Sequence, residues 1–282
     1  NLLFLHDLCE RAVVLADGRV HHDCAFNDLL SNPQALREHG LDFTFRFVDR
    51  DRHYIGAGHH RHYLPTHDHG TEGGHLTPKD SGVPLIELQH YSFCYSDGTP
   101  AINDINLGLF AGETIALVGE NGAGKSTLAH CLLGLHRGEG AFLVDGRPLV
   151  KGDWPLLWRR VGIVFQYSAD QLFCPSCWEE VAFGPQQLGL SPGEVERRVQ
   201  KALAVVQLEG FDKRVPLHMS GGERKRLAIA ATLSLQPEIL ILDEPTASLD
   251  PKSEEQLMAV LEALPMAKLL ITHDLFFIRR LC

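Results

Sequence analysis

No stretch of the chain approaches the roughly 18 consecutive apolar residues that a membrane-crossing helix requires. The start also lacks the charged region and following apolar region of a secretory leader. The expectation is a soluble, cytoplasmic protein that meets membranes only through partners. A basic excess is missing too: Lys and Arg total 26 against 36 Asp and Glu, a formal charge of −10. A broad nucleic-acid-binding face needs the opposite balance, so no nucleic-acid partner is expected. The seven cysteines are odd in number and follow no framework spacing, as befits reduced intracellular thiols. Cys174 and Cys177 form a lone CxxC pair with no second pair nearby. It reads as two small residues on a surface loop, with metal or redox chemistry as the alternative.

What is present suits a globular protein: 44% apolar and 22% charged residues over 282 positions. That length fits one or two domains. Composition divides the chain into three regions. Residues 1–45 hold a helix-like opening, the apolar run Ala12–Leu15, an Asp17-Gly18 turn and a polar helical stretch from Phe26 to His39. An Asp-Gly turn between short apolar runs signals a hairpin. Residues 46–83 form a linker rich in His and Gly; seven of the 16 histidines fall between His53 and His75. From Pro84 to Cys282, strands and helices alternate. Leu85–Leu88, Thr114–Val118, Val161–Phe165, Ile239–Leu242 and Lys268–Ile271 read as buried strands. The segment between Pro175 and Gly222 is mostly helical. This is an α/β sheet domain with a helical insert.

Gly119-Glu120-Asn121-Gly122-Ala123-Gly124-Lys125-Ser126 matches GxxxxGK[ST], followed by Thr127. It leaves the strand Thr114–Val118 and opens an apolar helix, the context this loop needs. Its glycines let successive N–H groups point at phosphate oxygens, and the helix N-terminus adds partial positive charge. Lys125 is placed to reach the β- and γ-phosphates of ATP, and Ser126 to offer its hydroxyl to Mg²⁺. A second site follows the strand Ile239–Leu242. It delivers Asp243 to the sheet's carboxyl edge to hold Mg²⁺, while Glu244, pointing elsewhere, is expected to take a proton from attacking water.

Ser220-Gly221-Gly222-Glu223, followed by Arg224, Lys225 and Arg226, resembles the signature motif of the ATP-binding-cassette (ABC) family. The remaining family elements occur in order. The resemblance gives Tyr95 the place of the aromatic that stacks on adenine, and Gln166 that of the glutamine near Mg²⁺ and water. Ser248-Leu249-Asp250 resembles the D-loop, and His273 the histidine that contacts the γ-phosphate. It implies that Ser220–Glu223 meet ATP held by a second ABC cassette. Met219 stands where the family usually has Leu, a volume-conserving change expected to be neutral. The implied fold is a P-loop NTPase ABC ATPase domain with a helical subdomain. The implied activity is ATP hydrolysis coupled to transport, with Mg²⁺.

Within the family, Tyr91–Tyr95, Asp170–Phe173 and Val181–Pro185 look like the cobalt/nickel branch of energy-coupling-factor (ECF) transporters. This implies integral membrane transport subunits as partners, met through the segment after Gln166, and a peripheral place at the inner face of the cell membrane. The alternative is a soluble tandem-cassette ATPase acting on ribosomes, which a His- and Gly-rich linker with prolines fits less well. Leu2, Phe4, Leu8 and Cys9 align with Leu275, Phe277, Leu281 and Cys282. Residues 1–45 therefore resemble the tail of a preceding cassette, and such a tail is able to dock on the 84–282 domain as in a circular permutant. The histidine-rich linker reads as a solvated tether or as a weak Ni²⁺, Co²⁺ or Zn²⁺ site.

Overall fold

The computed structural model describes residues 9–30, 32–39, 41, 82–150 and 152–272. The linker expected over 46–83 therefore lies almost wholly outside the described residues, as do the opening residues 1–8 and His273.

Strands β1 (Arg11–Ala16) and β2 (Arg19–Ala25) form the hairpin. Asp17 and Gly18 have φ of 48° and 70°, as a two-residue type I′ turn demands. Two short helices follow, α1 (Phe26–Leu30) and α2 (Pro33–Glu38), where one helical stretch was expected. Pro33 breaks the run because it has no N–H to donate, and the Asn32 side chain accepts from the Ala35 amide to start the second helix.

Strand β3 (Ile86–Cys94), β4 (Pro100–Leu109) and β5 (Thr114–Val118) lead to helix α3 (Lys125–Leu132). Then come β6 (Glu139–Val144), β7 (Arg147–Pro148), α4 (Trp154–Arg160), β8 (Val161–Val164) and α5 (Ser168–Gln171). The helical insert contributes α6 (Cys177–Gln187) and α7 (Pro192–Val205), and α8 (Gly221–Leu233) returns the chain to β9 (Ile239–Asp243). Helix α9 (Pro251–Glu262) and β10 (Ala267–Thr272) complete the described residues.

The main sheet runs β2-β1-β5-β10-β9-β8, parallel except for β2. A second, antiparallel sheet runs β4-β3-β6-β7. The sequence reading had not separated this second sheet, although Ile102, Ile105, Leu107 and Leu109 on β4 are all buried at irregular two- and three-residue spacing. A positive φ at Asp104 breaks strict alternation there.

Side chains of the main sheet alternate between two cores. Ala116, Val118, Leu240, Leu242 and Leu270 face the helices α6–α9. Ile115, Leu117, Ile239, Ile241, Leu269 and Ile271 face α3 and the antiparallel sheet. Apolar burial on both faces explains why these strands read as unbroken hydrophobic runs.

The hairpin is not a detached tail. Strand β1 lies parallel to β5, from Arg11 beside Ile115 to Val14 beside Val118. Val13, Val14 and Leu15 are fully buried. At about 1.5–3 kcal/mol per large side chain, they contribute roughly 5–9 kcal/mol of contact. Arg11 secures the outer end: it donates to Asp23 at 2.5 and 2.6 Å, to Glu113 at 3.3 Å and to the Gly108 carbonyl at 3.0 Å. Replacing it strands two part-buried carboxylates. Arg11→Met should therefore lower stability by about 3 kcal/mol in urea unfolding; a loss below about 0.5 kcal/mol would show that the ion pair is solvent-screened.

Candidate functional site

The loop Gly119–Gly124 follows β5 directly, and α3 starts at its end. At two places its backbone leaves no room for a side chain. Gly119 has φ 153°, and a Cβ there would overlap the Leu15 carbonyl oxygen on the hairpin. Gly124 has φ 99°, and its Cβ would fall 2.5 Å from the Ala101 carbonyl oxygen. The hairpin turn braces the same loop: the Gly18 amide donates to the Ala123 carbonyl at 3.1 Å, and the Asn103 amide donates to Gly18 at 2.8 Å.

A cleft of about 620 Å³ opens in front of this loop. Asn121, Gly122, Gly124, Lys125, Ser126 and Thr127 line one side, and Gln166, Asp243 and Glu244 another. Tyr95 with Thr99, Pro100 and Ala101 closes a third. Gly119 and Ala123 are buried behind the loop, and Glu120 is exposed beside it.

Lys125 is buried, and its amine donates to the carbonyls of Gly119 and Glu120 at 2.8 Å each. Burial pulls its pKa down, against the attraction of Glu244, Asp243 and Glu120. The Ser126 hydroxyl donates to an Asp243 carboxylate oxygen at 3.1 Å, so the start of α3 and the end of β9 meet side chain to side chain. Burial pushes the Asp243 carboxyl up; the Ser126 bond works in the opposite direction. Glu244 is buried, with φ 46°, and accepts from the Thr272 hydroxyl at 3.1 Å. The two neighbouring acids thus take different partners, Asp243 the Ser126 hydroxyl and Glu244 the Thr272 hydroxyl.

Tyr95 stands at the cleft's mouth, 40% exposed, with its hydroxyl 2.9 Å from Thr127 Oγ1. Phe93 meets it edge-on at 5.1 Å, and His136 stacks on Phe93 at 4.8 Å. This aromatic backing had no signal in the sequence, because His136 lies far along the chain from Tyr95.

Ser220, Gly221, Gly222 and Glu223 do not line the cleft. They form the first turn of α8, where Ser220 and Glu223 make a reciprocal capping box. Ser248, Leu249 and Asp250 also lie outside it, and Asp250 caps α9 by accepting from the amides of Lys252 and Ser253. Both segments lead into helix N-termini, whose partial positive charge favours anions.

In the sequence Lys225 is the middle of three basic residues after Glu223. It is 2% exposed, and its amine donates to the backbone carbonyls of Phe165 at 3.2 Å and Gln166 at 2.8 Å. Burial lowers its pKa to about 8, opposed by Asp243 and Glu244.

The CxxC pair differs from the surface-loop reading. Cys177 opens α6 fully buried, with Met219 sulfur 3.3 Å from its thiol, and burial pushes that thiol up to about 11. Among the described residues no cluster of three His, Cys, Asp or Glu is arranged to hold a metal ion. No described helix is long and apolar enough to cross a membrane.

A phosphate loop, an aromatic at the mouth and two staggered acids in one cleft are the parts of a nucleotide-hydrolysing site. The family model for the ABC transporter matches residues 102–247, slightly more than half the chain. The chain belongs to the ABC transporter family, as an ATP-hydrolysing domain. It is 44% identical over 196 residues to the energy-coupling factor transporter ATP-binding protein EcfA of Methanocaldococcus jannaschii, covering 67% of this chain and 70% of that one. The EcfA of Methanothermobacter thermautotrophicus is 46% identical over 180 residues, covering 63% of this chain and 58% of the relative. Among solved structures, cbiO1 of Clostridium perfringens, part of the ABC transporter complex cbiONQ, superposes with a TM-score of 0.62 at 35% identity, covering 68% of this chain and 79% of that one.

In this ABC ATPase Gly124 is where the phosphate loop enters α3 with no room for a side chain. Gly124→Ala should weaken binding of a fluorescent ATP analogue at least tenfold, about 1.4 kcal/mol, while the chain stays folded. Unchanged affinity would mean that the loop does not cradle the nucleotide.

Proposed function

We propose that this chain is an energising ATPase subunit of an ECF-type importer, with cobalt or nickel ions as the transported substrate. The observation that carries the reading is the single cleft that gathers Lys125, Ser126, Gln166, Asp243 and Glu244, in a chain similar to EcfA and cbiO1. Tyr95 stacks on adenine. The loop amides and Lys125 hold the phosphates, and the amino end of α3 favours their charge.

Ser126, Asp243 and Gln166 offer the oxygen donors that a hard cation such as Mg²⁺ takes, and Ser126 and Asp243 already meet in the cleft. When bound there, Mg²⁺ supplies neutralisation of phosphate charge. Glu244 accepts the proton of the attacking water, and His273 steadies the γ-phosphate. Ser220–Glu223 and the Ser248–Asp250 segment serve the ATP of a second cassette, so their absence from this chain's own cleft fits that role.

Residues 84–282 constitute the cassette in this reading, with 46–83 as tether and 1–45 as the tail of a preceding cassette that docks on β5. The membrane partner meets the surface after Gln166. There Tyr167 and Phe173 are about two-thirds exposed, and Phe173 packs edge-on against exposed Phe183 at 5.0 Å. Exposed aromatics on this surface suit an apolar helix of a membrane subunit. The protein is thereby held at the inner face of the cell membrane.

Glu244→Gln is isosteric and removes the base. It should keep ATP binding and lower turnover by about 10²–10⁴-fold, and cells carrying it should lose ATP-dependent cobalt or nickel uptake. Full turnover would assign the base to another residue; lost turnover with normal uptake of both ions would remove them as substrates.

A further inference from the structure

We infer that Lys225 is a positioning residue, tying the signature helix to the backbone of Gln166 so that its amine delivers movement of α8 to the ATP cleft. This deepens the preceding reading and rests on it, since it takes Ser220–Glu223 as the segment that meets ATP of the opposite cassette.

The tie is short and stiff. Ser220 and Glu223 lock the first turn of α8 by their capping box. Lys225 lies five positions beyond Ser220, about 7.5 Å along the helix axis. Its side chain is buried, and both its acceptors are backbone carbonyls where the chain leaves β8. The preceding residues are held by other side chains, one of which, Thr232, also lies on α8. The Phe165 amide donates to Gln171 Oε1 at 3.2 Å, while Gln171 Nε2 and the Thr232 hydroxyl donate to the Ile163 carbonyl at 3.1 and 3.3 Å. Of these three side chains, Lys225 is the one whose bonds reach Gln166 itself. Gln166 lines the cleft with Asp243 and Glu244.

The geometry gives Lys225 a task beyond satisfying buried carbonyls. A rigid first turn at one end faces the opposite nucleotide, and the amine at the other end fixes a residue of this chain's own nucleotide. Closure at one ATP is therefore transmitted to the other. Losing the tie leaves each cleft able to bind ATP and uncouples that binding from hydrolysis.

The test is K225M in the full chain, which keeps the apolar stem and removes the donors. ATP-analogue affinity should stay within twofold of wild type, kcat should fall at least tenfold, and cooperativity in ATP concentration should disappear. Amide hydrogen exchange should accelerate over residues 165–168 and remain unchanged in β5 and β9. K225Q is the second variant, and it also serves if K225M fails to fold. Its amide keeps a donor at similar depth, so turnover should be partly restored, with faster exchange confined to the same four residues. Wild-type kcat in K225M, or K225Q turnover lost with exchange over residues 165–168 unchanged, overturns the inference. Equal loss of affinity and turnover with exchange raised throughout the domain overturns it too, because that is a purely structural role. Full turnover in Glu244→Gln alongside full turnover in the Lys225 variants would sink the reading of the cleft itself.

Discussion

Strand β5 is the constraint on which the rest depends. Its five residues are buried on both faces, and both its edges are paired, to β1 on one side and β10 on the other. A strand so enclosed cannot slip by one residue without turning Ile115 and Leu117 into the wrong core. That fixed register sets where the chain emerges at Gly119, and with it the direction of the loop and of α3. The carboxyl edge of the same sheet delivers Asp243 from β9 and Thr272 from β10, so the acid that meets Ser126 and the hydroxyl that meets Glu244 arrive by the same geometry.

The enclosure has an unusual source. In chain order the strand on the outer side of β5 comes first, from residues 11–16, and its turn then reaches the phosphate loop through Gly18 and Ala123. Backbone approaches here are so close that Gly119 and Gly124 admit no side chain. The site thus combines a rigid backbone cradle with buried charges. Lys125, Lys225, Asp243 and Glu244 lie within one another's field, and burial opposes the charged forms of Lys125, Lys225 and Asp243. Such a cluster is preorganised for polyphosphate, because the donors are already desolvated before any ligand arrives.

The parallel strands were legible because burial on two faces writes an uninterrupted apolar run, as in Ile239–Leu242 and Lys268–Ile271. The phosphate loop was legible because its glycine positions are dictated by backbone φ and close approach. The Asp17-Gly18 turn was equally plain, and β1, which leads into it, pairs with β5. The antiparallel sheet was not, since β4 changes its inward face at Asp104. Cys177 was misread as loop surface because a helix start buried against Met219 leaves no periodic trace in four residues. Lys225 was invisible for another reason: a lysine in a basic run looks solvated, and only the fold brings the carbonyls of Phe165 and Gln166 to its amine. His273, expected at the γ-phosphate, lies outside the described residues.

The central claim is that this cleft drives a membrane partner. Its most direct test is to purify the tagged protein from detergent-solubilised cells and identify what accompanies it by mass spectrometry. The account predicts a small, reproducible set of integral membrane proteins, retained in the presence of ATP. Ribosomal proteins or DNA-bound factors in their place would leave the ATPase intact and contradict the transport role.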